Sequence, residues 1–278
     1  MSSHEWAELA TIAEQVAVEA GQLVLRAHRD RWESGAGAGE DGLQVDTKST
    51  ITDLVTAVDK ASERLIRTRL SELRPGDPVL GEEHGADGEA EPGRVAWVVD
   101  PIDGTVNFVY GLPEFAVSVA AQVDGQSVAG AVVDPVGGRT WTAWRDGGAW
   151  LNGTRLRASA VQKLELSLVA TGFAYDGERR LRQADLVRSL IGRVRDIRRG
   201  GSAALDLCAV ATGWVDASFE NGLSRWDWAA GALVAQEAGA RVIVPGQDPA
   251  LGDGTFAAAP GIADELYRVL VEAGAARI

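Results

Sequence analysis

The sequence predicts an α/β protein, and three observations support that fold class. Before residue 75, apolar residues recur at helical spacing in two long stretches. Residues 95–144 contain short β-rich runs joined by turn dipeptides such as Asp124-Gly125, which is typical of an antiparallel meander. From Leu166 onward, strand and helix patterns alternate, an order that favours some parallel pairing.

Two helices are predicted before the first β-rich runs. The first begins at a capping box over Ser2–Glu5 and runs to about Arg31. The second is predicted over residues 54–73, ending ahead of Pro75, which cannot continue a helix. Residues 33–42 lie between them and are rich in Gly and Ala, so a flexible loop is expected there.

The remaining elements follow from apolar runs and the turn residues between them. Strands in the middle of the chain are predicted at residues 79–80, 95–99, 115–123, 127–133 and 139–144. Later strands are predicted at residues 166–171, 194–198, 215–219, 241–244 and 255–259. Later helices are predicted at residues 178–191, 202–212, 226–238 and from 262. We expect one domain over residues 1–278, with an α+β half at 1–150 and an α/β half at 151–278.

Composition and charge argue against several classes of function. With 27 Lys and Arg against 40 Asp and Glu, the formal net charge is −13, so neither anionic membranes nor nucleic acid are expected partners. No stretch approaches the ~20 apolar residues that span a bilayer, and the N-terminus lacks the pattern of a signal peptide. A single cysteine, Cys208, excludes an internal disulfide, and together these features favour a cytoplasmic location.

The segment over residues 97–108 has the clearest chemical pattern. An apolar strand leads into Asp100, Pro101 is expected to stop the strand, and Asp103 follows. Two carboxylates and the Ile102 carbonyl would then lie at the lip of a sheet, where clustered oxygen ligands suit a hard cation such as Mg²⁺. A capped turn without a metal is the alternative at this point, because caps and turns favour the same residue types.

An anion site is predicted beside this cation site. Gly104 permits a tight turn after Asp103. The backbone N–H groups of Gly104 and Thr105 would then open a short helix, and helix N-termini bind anions. Cation and phosphate would therefore lie side by side.

Two further acidic residues fall at comparable positions. Glu82 follows a short apolar strand, and Asp227 opens a predicted helix. Taken alone, they are equally well explained as a surface acid and an N-cap. Brought together with Asp100 and Asp103, they would repel one another and raise their pKa values unless cations lay between them.

Four blocks of sequence resemble one known family. The blocks are residues 53–59, 81–83, 100–108 and 226–239. Their residues and order resemble the inositol monophosphatase family of lithium-sensitive, magnesium-dependent phosphatases over about residues 5–270, and the last two blocks together are highly specific. The resemblance implies a layered α/β/α/β/α sandwich of the type shared with fructose-1,6-bisphosphatase, and a homodimer.

The resemblance also implies a set of metal ligands. Glu82, Asp100 and the Ile102 carbonyl would bind a first Mg²⁺, and Asp100, Asp103 and Asp227 a second. Glu82 would also hold a weaker third ion through water. Most of the metal ligands would therefore come from the first half of the chain.

Catalytic and substrate-binding roles are implied in the same way. Glu82, Thr105 and Asp59 would be catalytic, with Thr105 hydrogen-bonded to Asp59 so that the pair orients and deprotonates the attacking water. In the inositol-directed members, a glutamate at the position of Glu220 accepts hydrogen bonds from sugar hydroxyls. The full set of residues implied to bind substrate is Asp103, Gly104, Thr105, Gly201, Ser202, Ala203, Glu220 and Asp227.

The implied reaction is hydrolysis of inositol 1-phosphate to inositol and phosphate by metal-activated water. Histidinol phosphate, fructose 1,6-bisphosphate and phosphoadenosine phosphate are alternative substrates. A regulatory, partner-binding role is an alternative from another class, because eight arginines cluster over residues 179–199 of an acidic chain. A solvated helix face or a dimer contact also explains such a cluster.

Overall fold

A computed structural model describes residues 2–33, 45–47, 54–88 and 91–278 of the chain. The predicted Gly-rich loop lies, beyond Glu33, outside the described residues. No helix among the residues described combines the length and the apolar character that crossing a membrane requires.

Both predicted N-terminal helices are present. Helix α1 spans Ser3–Glu33 and helix α2 spans Ala57–Leu73. The predicted start of the second helix at residue 54 is wrong, because Leu54–Thr56 form strand β2, which pairs antiparallel with β1 at Val45–Thr47. The helix starts after Thr56 because this residue and Asp59 form a reciprocal capping box that satisfies both of their N–H groups.

The larger sheet has eight strands in the described part of the chain. They are β3 Val79–Gly81, β4 Gly85–Ala86, β5 Val95–Asp103, β6 Ala116–Val123, β7 Gln126–Asp134, β8 Arg139–Trp144, β9 Gly148–Leu151 and β10 Thr154–Arg155. Their order is β10-β9-β8-β7-β6-β5-β3-β4. All pairs from β5 to β10 are antiparallel, which confirms the predicted meander, whereas β3 runs parallel to β5.

Strand β5 does not stop at Pro101 as predicted but continues to Asp103. Its neighbour β3 ends opposite Val99, so the missing N–H of Pro101 interrupts no ladder on that side. On the other side, the register with β6 shifts between Asp100 and Asp103. Such a bulge redirects side chains, and here it does so at the two predicted metal ligands.

The second sheet confirms the predicted parallel pairing. Its strands are β11 Leu168–Thr171, β12 Asp196–Arg198, β13 Ala217–Asn221, β14 Arg241–Ile243 and β15 Gly254–Ala258. Their order is β12-β11-β13-β15-β14, with β11 parallel to both of its neighbours and β15 antiparallel to both of its own. The helices after β5 are α3 Thr105–Tyr110, α4 Gly177–Leu190, α5 Ala203–Thr212, α6 Arg225–Glu237 and α7 Ala263–Glu272.

Packing stacks these elements in five layers, as the resemblance implies. Helices α1 and α2 cover one face of the larger sheet. Helices α5 and α6 pack on its other face through alanines such as Ala204 and Ala230, and on the second sheet through residues such as Leu207 and Ala235. Helices α4 and α7 cover the outer face of the second sheet. The middle helix layer therefore lies between the sheets, and its helix starts lie at the site described next.

Candidate active site and metal centre

The predicted site residues converge on one cavity of about 400 Å³. The turn after β3, the end of β5 and the start of α3 form one side, while β13 and the starts of α5 and α6 form the other. Predicted residues that line the cavity are Glu82, Asp100, Ile102, Asp103, Gly104, Thr105, Gly201, Ala203, Glu220 and Asp227. Ser202 and Asp59 are buried behind this lining.

Three aspartates form the centre of the site. Asp100, Asp103 and Asp227 each offer a carboxylate oxygen, and the three oxygens lie within 4.8 Å of one another. Burial raises the pKa of Asp100 well above its usual range, and the charges of Glu82, Asp103 and Asp227 raise it further. Burial, followed by the charges of Asp103 and Glu82, raises the pKa of Asp227 in the same way. Clustered carboxylates of this kind fit a hard divalent cation, which removes the repulsion between them.

Asp103 is stabilised more than its neighbours by hydrogen bonds. Its Oδ2 accepts the Ser202 hydroxyl at 2.5 Å and the Ala204 N–H at 2.7 Å. Burial raises the pKa of Asp103 to about 6, against the lowering effect of these donors. Ser202, which also caps α5 by accepting the Leu205 N–H, therefore lies against the aspartate and is only 2% exposed.

Glu82 completes the acidic cluster from the neighbouring strand, because it follows β3, which pairs in parallel with β5 up to Val99. It is half-buried at the first position of the turn between β3 and β4. Its side chain shares a hydrogen bond with Asp100 that raises the pKa of Asp100. Two carboxyl groups share a hydrogen bond only when a proton lies between them, so this pair is also a place where a cation can replace a proton.

Thr105 and Asp59 make the hydrogen bond that the resemblance implies. The Thr105 hydroxyl lies 3.0 Å from Asp59 Oδ1 and 3.0 Å from the Ile102 carbonyl. Since a hydroxyl has one proton and two acceptors stand here, the lone pairs of Thr105 Oγ1 are left to accept a hydrogen bond from the cavity. Asp59 is completely buried, and its other oxygen accepts the Thr56 N–H at 2.9 Å.

Gly104 joins β5 to α3 in a conformation that suits glycine. Its φ is 95°, and a Cβ there would lie 3.0 Å from the Glu114 carbonyl oxygen and 3.1 Å from that of Gly201. Asn107 closes the same turn by donating to the Glu114 carbonyl at 2.6 Å and the Gly200 carbonyl at 2.9 Å. The start of α3 and the glycines before α5 are thereby held together at the cavity floor.

Glu220, on β13, lines the same cavity. Burial raises its pKa from 4.5 to about 7, the charge of Asp103 adds to this, and Arg199 opposes it. Gly172 leaves room for the carboxylate, since a Cβ at that position would come within about 2.2 Å of it. Glu220 is therefore a carboxyl group able to donate or accept hydrogen bonds near neutral pH.

Two arginines of the cluster at residues 179–199 were missed as site residues. Arg179 and Arg199 line the same cavity, so neither belongs to a merely solvated face. Arg179 forms an ion pair with Asp253, and the charge of Arg199 lowers the pKa values of Asp103 and Glu220. Arg199 directly precedes the glycines before α5, and that position was the available signal in the sequence. Arg179 carried no such signal, because only the folding of α4 brings it to the cavity.

Comparisons with known proteins agree with this architecture. A family model described as the inositol monophosphatase family matches residues 5–275. The Inositol-1-monophosphatase of Mycobacterium leprae is 52% identical over 272 residues, covering 95% of this chain and 93% of that protein. A Pseudomonas aeruginosa protein called Nus factor SuhB is 42% identical over 236 residues, covering 83% of each. The solved structure of Mycobacterium tuberculosis SuhB matches with a TM-score of 0.80 at 44% identity, over 97% of this chain and 98% of that one.

The raised pKa of Glu220 predicts a pH dependence of stability in metal-free protein. Between pH 4.5 and about 7 the folded state binds this proton more tightly than the unfolded state does. The free energy of unfolding therefore falls as the pH rises through that window. Glu220→Gln removes the group, so we expect the variant to lose less stability than wild type between about pH 5 and about pH 8 in urea titrations with EDTA.

Glu165→Gln is the matched control, because the Glu165 side chain is 71% exposed. It should follow the wild-type curve at every pH. Equal pH slopes for wild type and Glu220→Gln would contradict the assignment of a raised pKa to Glu220.

Proposed function

Because the chain belongs to the inositol monophosphatase family and is a phosphatase, we propose that it is a Mg²⁺-dependent phosphomonoesterase that hydrolyses inositol 1-phosphate to inositol and phosphate. The observation that carries the proposal is the cluster of Asp100, Asp103 and Asp227 in a cavity that also contains the start of α3 and Glu220. The proposed metal ligands, phosphate site and acceptor for hydroxyl groups therefore line one cavity that can take a small substrate.

The proposed ligands of two or three Mg²⁺ ions are Glu82, Asp100, the Ile102 carbonyl, Asp103 and Asp227. The fit is supported by the donor set, which consists of the Ile102 carbonyl, two buried carboxylates (Asp100 and Asp103) and two half-buried ones (Glu82 and Asp227), whose charges repel one another. Bound there, Mg²⁺ supplies Lewis-acid chemistry by making water more acidic and neutralising charge on the phosphate and leaving-group oxygens.

The residues of the chain contribute positioning and proton handling. Thr105 donates its one proton to Asp59, because the Ile102 carbonyl is the proposed metal ligand, so the Thr105 oxygen accepts a hydrogen bond from the attacking water and orients it. The N–H groups of Gly104 and Thr105 hold the phosphate. In phosphoryl transfer, positioning and electrostatic stabilisation account for most of the catalysis. These residues and the bound cations are therefore sufficient for the reaction without a covalent intermediate.

Glu220 is the residue that favours an inositol phosphate over other substrates. A polyol with neighbouring hydroxyl groups can donate to its carboxylate, and Gly201 and Ala203 line the same cavity as Glu220. The name of the Mycobacterium leprae relative, Inositol-1-monophosphatase, supports the same substrate. Ser202 would contribute through Asp103, against which it lies.

Asp100→Asn tests the metal-dependent reaction directly. The variant replaces a charged carboxylate ligand with a neutral amide, so we expect Mg²⁺-dependent phosphate release to fall more than about 100-fold. Substitution of residues that only support metal ligands already lowers metal affinity or activity about 10- to 100-fold. Release would be measured on inositol 1-phosphate, histidinol phosphate, fructose 1,6-bisphosphate and phosphoadenosine phosphate. Wild type should turn over inositol 1-phosphate with the highest kcat/KM.

The exposed Glu165→Gln again serves as control and should retain full activity. Preference for another phosphate on the panel would leave the metal site intact and refute the role given to Glu220. Undiminished turnover by wild type in EDTA, or by Asp100→Asn in Mg²⁺, would refute metal-dependent chemistry at this cluster.

A partner-binding role is the second candidate, and it rests on the Pseudomonas aeruginosa relative called Nus factor SuhB. In this chain, Arg182, Arg188 and Arg193 are exposed and do not line the cavity. Arg188 and Arg193 make only exposed ion pairs, with Asp185 at 3.5 Å and Glu272 at 3.9 Å, so all three can face an anionic partner surface. From the family resemblance we further propose a homodimer, inhibition by lithium, a cytoplasmic location, and one phosphatase domain over residues 1–278.

Two variants separate the second candidate from catalysis. Asp227→Asn removes a metal ligand, so we expect it to abolish hydrolysis while leaving the binding of a purified Nus factor unchanged in a biosensor assay. Reversing the charges of Arg182, Arg188 and Arg193 to Glu should do the opposite. Absence of Nus-factor binding by wild type would contradict this second role and leave the phosphatase activity untouched.

A further inference from the structure

The turn that carries Glu82 is folded around a buried carboxylate from another element. Strands β3 and β4 pair up to Gly81 and Gly85, which leaves residues 82–84 as a three-residue turn. The side chain of Glu63, on α2, is completely buried beneath it. Glu63 accepts the N–H of Glu83 at 2.6 Å and the N–H of His84 at 3.2 Å, and His84 Nδ1 lies 3.2 Å away as well.

Arg67, one helical turn further along α2, ties the same carboxylate to both strands of the hairpin. Its Nε donates to Glu63 Oε1 at 2.7 Å. Its Nη atoms donate to the Val79 carbonyl at 3.3 Å and the Gly85 carbonyl at 2.5 Å, and they pair with Asp87 at 2.6 Å. The charge of Glu63 is therefore matched by the partly buried guanidinium of Arg67 and by backbone donors, as a buried carboxylate requires.

Gly81 shows how closely the turn fits over Glu63. A Cβ on Gly81 would lie 2.2 Å from Glu63 Oε1, so either the carboxylate or the turn would have to shift to make room for it. Unlike Gly85, with its φ of 68°, Gly81 is not among the residues with positive φ. The requirement for glycine at residue 81 is thus a contact with Glu63 and not a backbone conformation.

The same face of α2 contacts two other segments of the site. Asp59, Ser62 and Glu63 occupy positions i, i+3 and i+4, so their side chains project from one face. Asp59 accepts the Thr105 hydroxyl, and the Ser62 hydroxyl donates to the Pro101 carbonyl at 3.1 Å. One helix face therefore touches the bulge after Asp100, the start of α3 and the Glu82 turn.

We propose that Glu63 is a positioning residue of the metal centre, fixing Glu82 at the distance from Asp100 that cation binding needs. This inference rests on the proposed function, in which Glu82 is a metal ligand. Glu63 itself does not line the cavity, so it acts through the backbone of the turn. A glutamine would keep the shape of Glu63 but turn an amide NH₂ group toward N–H donors, which loosens the turn.

The test is the affinity of the metal-free protein for Mn²⁺, followed by the electron paramagnetic resonance signal of the free ion. We expect Glu63→Gln to raise the dissociation constant about 10-fold or more, the range found for residues that orient metal ligands. Glu72→Gln, the same change at an exposed position of α2, should bind Mn²⁺ like wild type. Thermal unfolding in EDTA would show separately how much stability each variant loses.

A second pair of variants keeps the inference and the proposed function apart. Glu82→Gln should weaken Mn²⁺ binding by itself, and unchanged binding there would contradict the proposed ligand set. If Glu82→Gln weakens binding but folded Glu63→Gln does not, the positioning role is overturned. If Glu63→Gln does not fold, Gly81→Ala replaces it as the test, because its Cβ would disturb the contact between the turn and Glu63. Weakened Mn²⁺ binding by Gly81→Ala would support the positioning role, and binding equal to that of wild type would refute it.

Discussion

Repulsion among three carboxylates held within 4.8 Å of one another is the constraint on which the rest of the structure depends. Each carboxylate is partly compensated by donors from its own surroundings. Asp103 accepts from Ser202 and Ala204, Asp227 accepts the Ser224 N–H at 2.6 Å, and Asp100 accepts the Ile102 N–H at 3.0 Å. These donors do not restore ordinary pKa values, because burial outweighs them. The repulsion that these donors do not offset favours the binding of either protons or a divalent cation.

The layered fold delivers the compensating groups from several directions. The middle helix layer begins at the site, so the first turns of α5 and α6 provide N–H groups and Asp227 itself. At the end of β5, the pairing with β6 is irregular between Asp100 and Asp103, so the two side chains do not follow the regular alternation of a strand. From the opposite face of the sheet, α2 contacts the Glu82 turn and Thr105. The acidic centre is therefore held by both helix layers that flank the larger sheet.

Much of this was predictable from the sequence, and the exceptions have physical causes. Strong apolar periodicity identified α1, α2 and the strands from β5 to β8, and the D-x-x-D-G pattern identified Asp100 and Asp103. Strands β9 and β10, of four and two residues, are too short to show a period. The helix was predicted to start at residue 54, before its N-cap Thr56, because the residues of the capping box are common both at caps and in the first turn of a helix. Glu63 and Arg179 act through contacts distant in sequence, which local patterns do not encode.

The most direct test of this account counts the protons released when Mg²⁺ binds to the metal-free protein. Calorimetric titrations near neutral pH, in buffers with different ionisation enthalpies, give that number. If buried carboxylates with raised pKa values hold protons that the cation replaces, binding releases about one proton or more, and fewer as the pH is raised. Binding heats that do not depend on the buffer would mean that the cluster is already ionised, and would contradict the account.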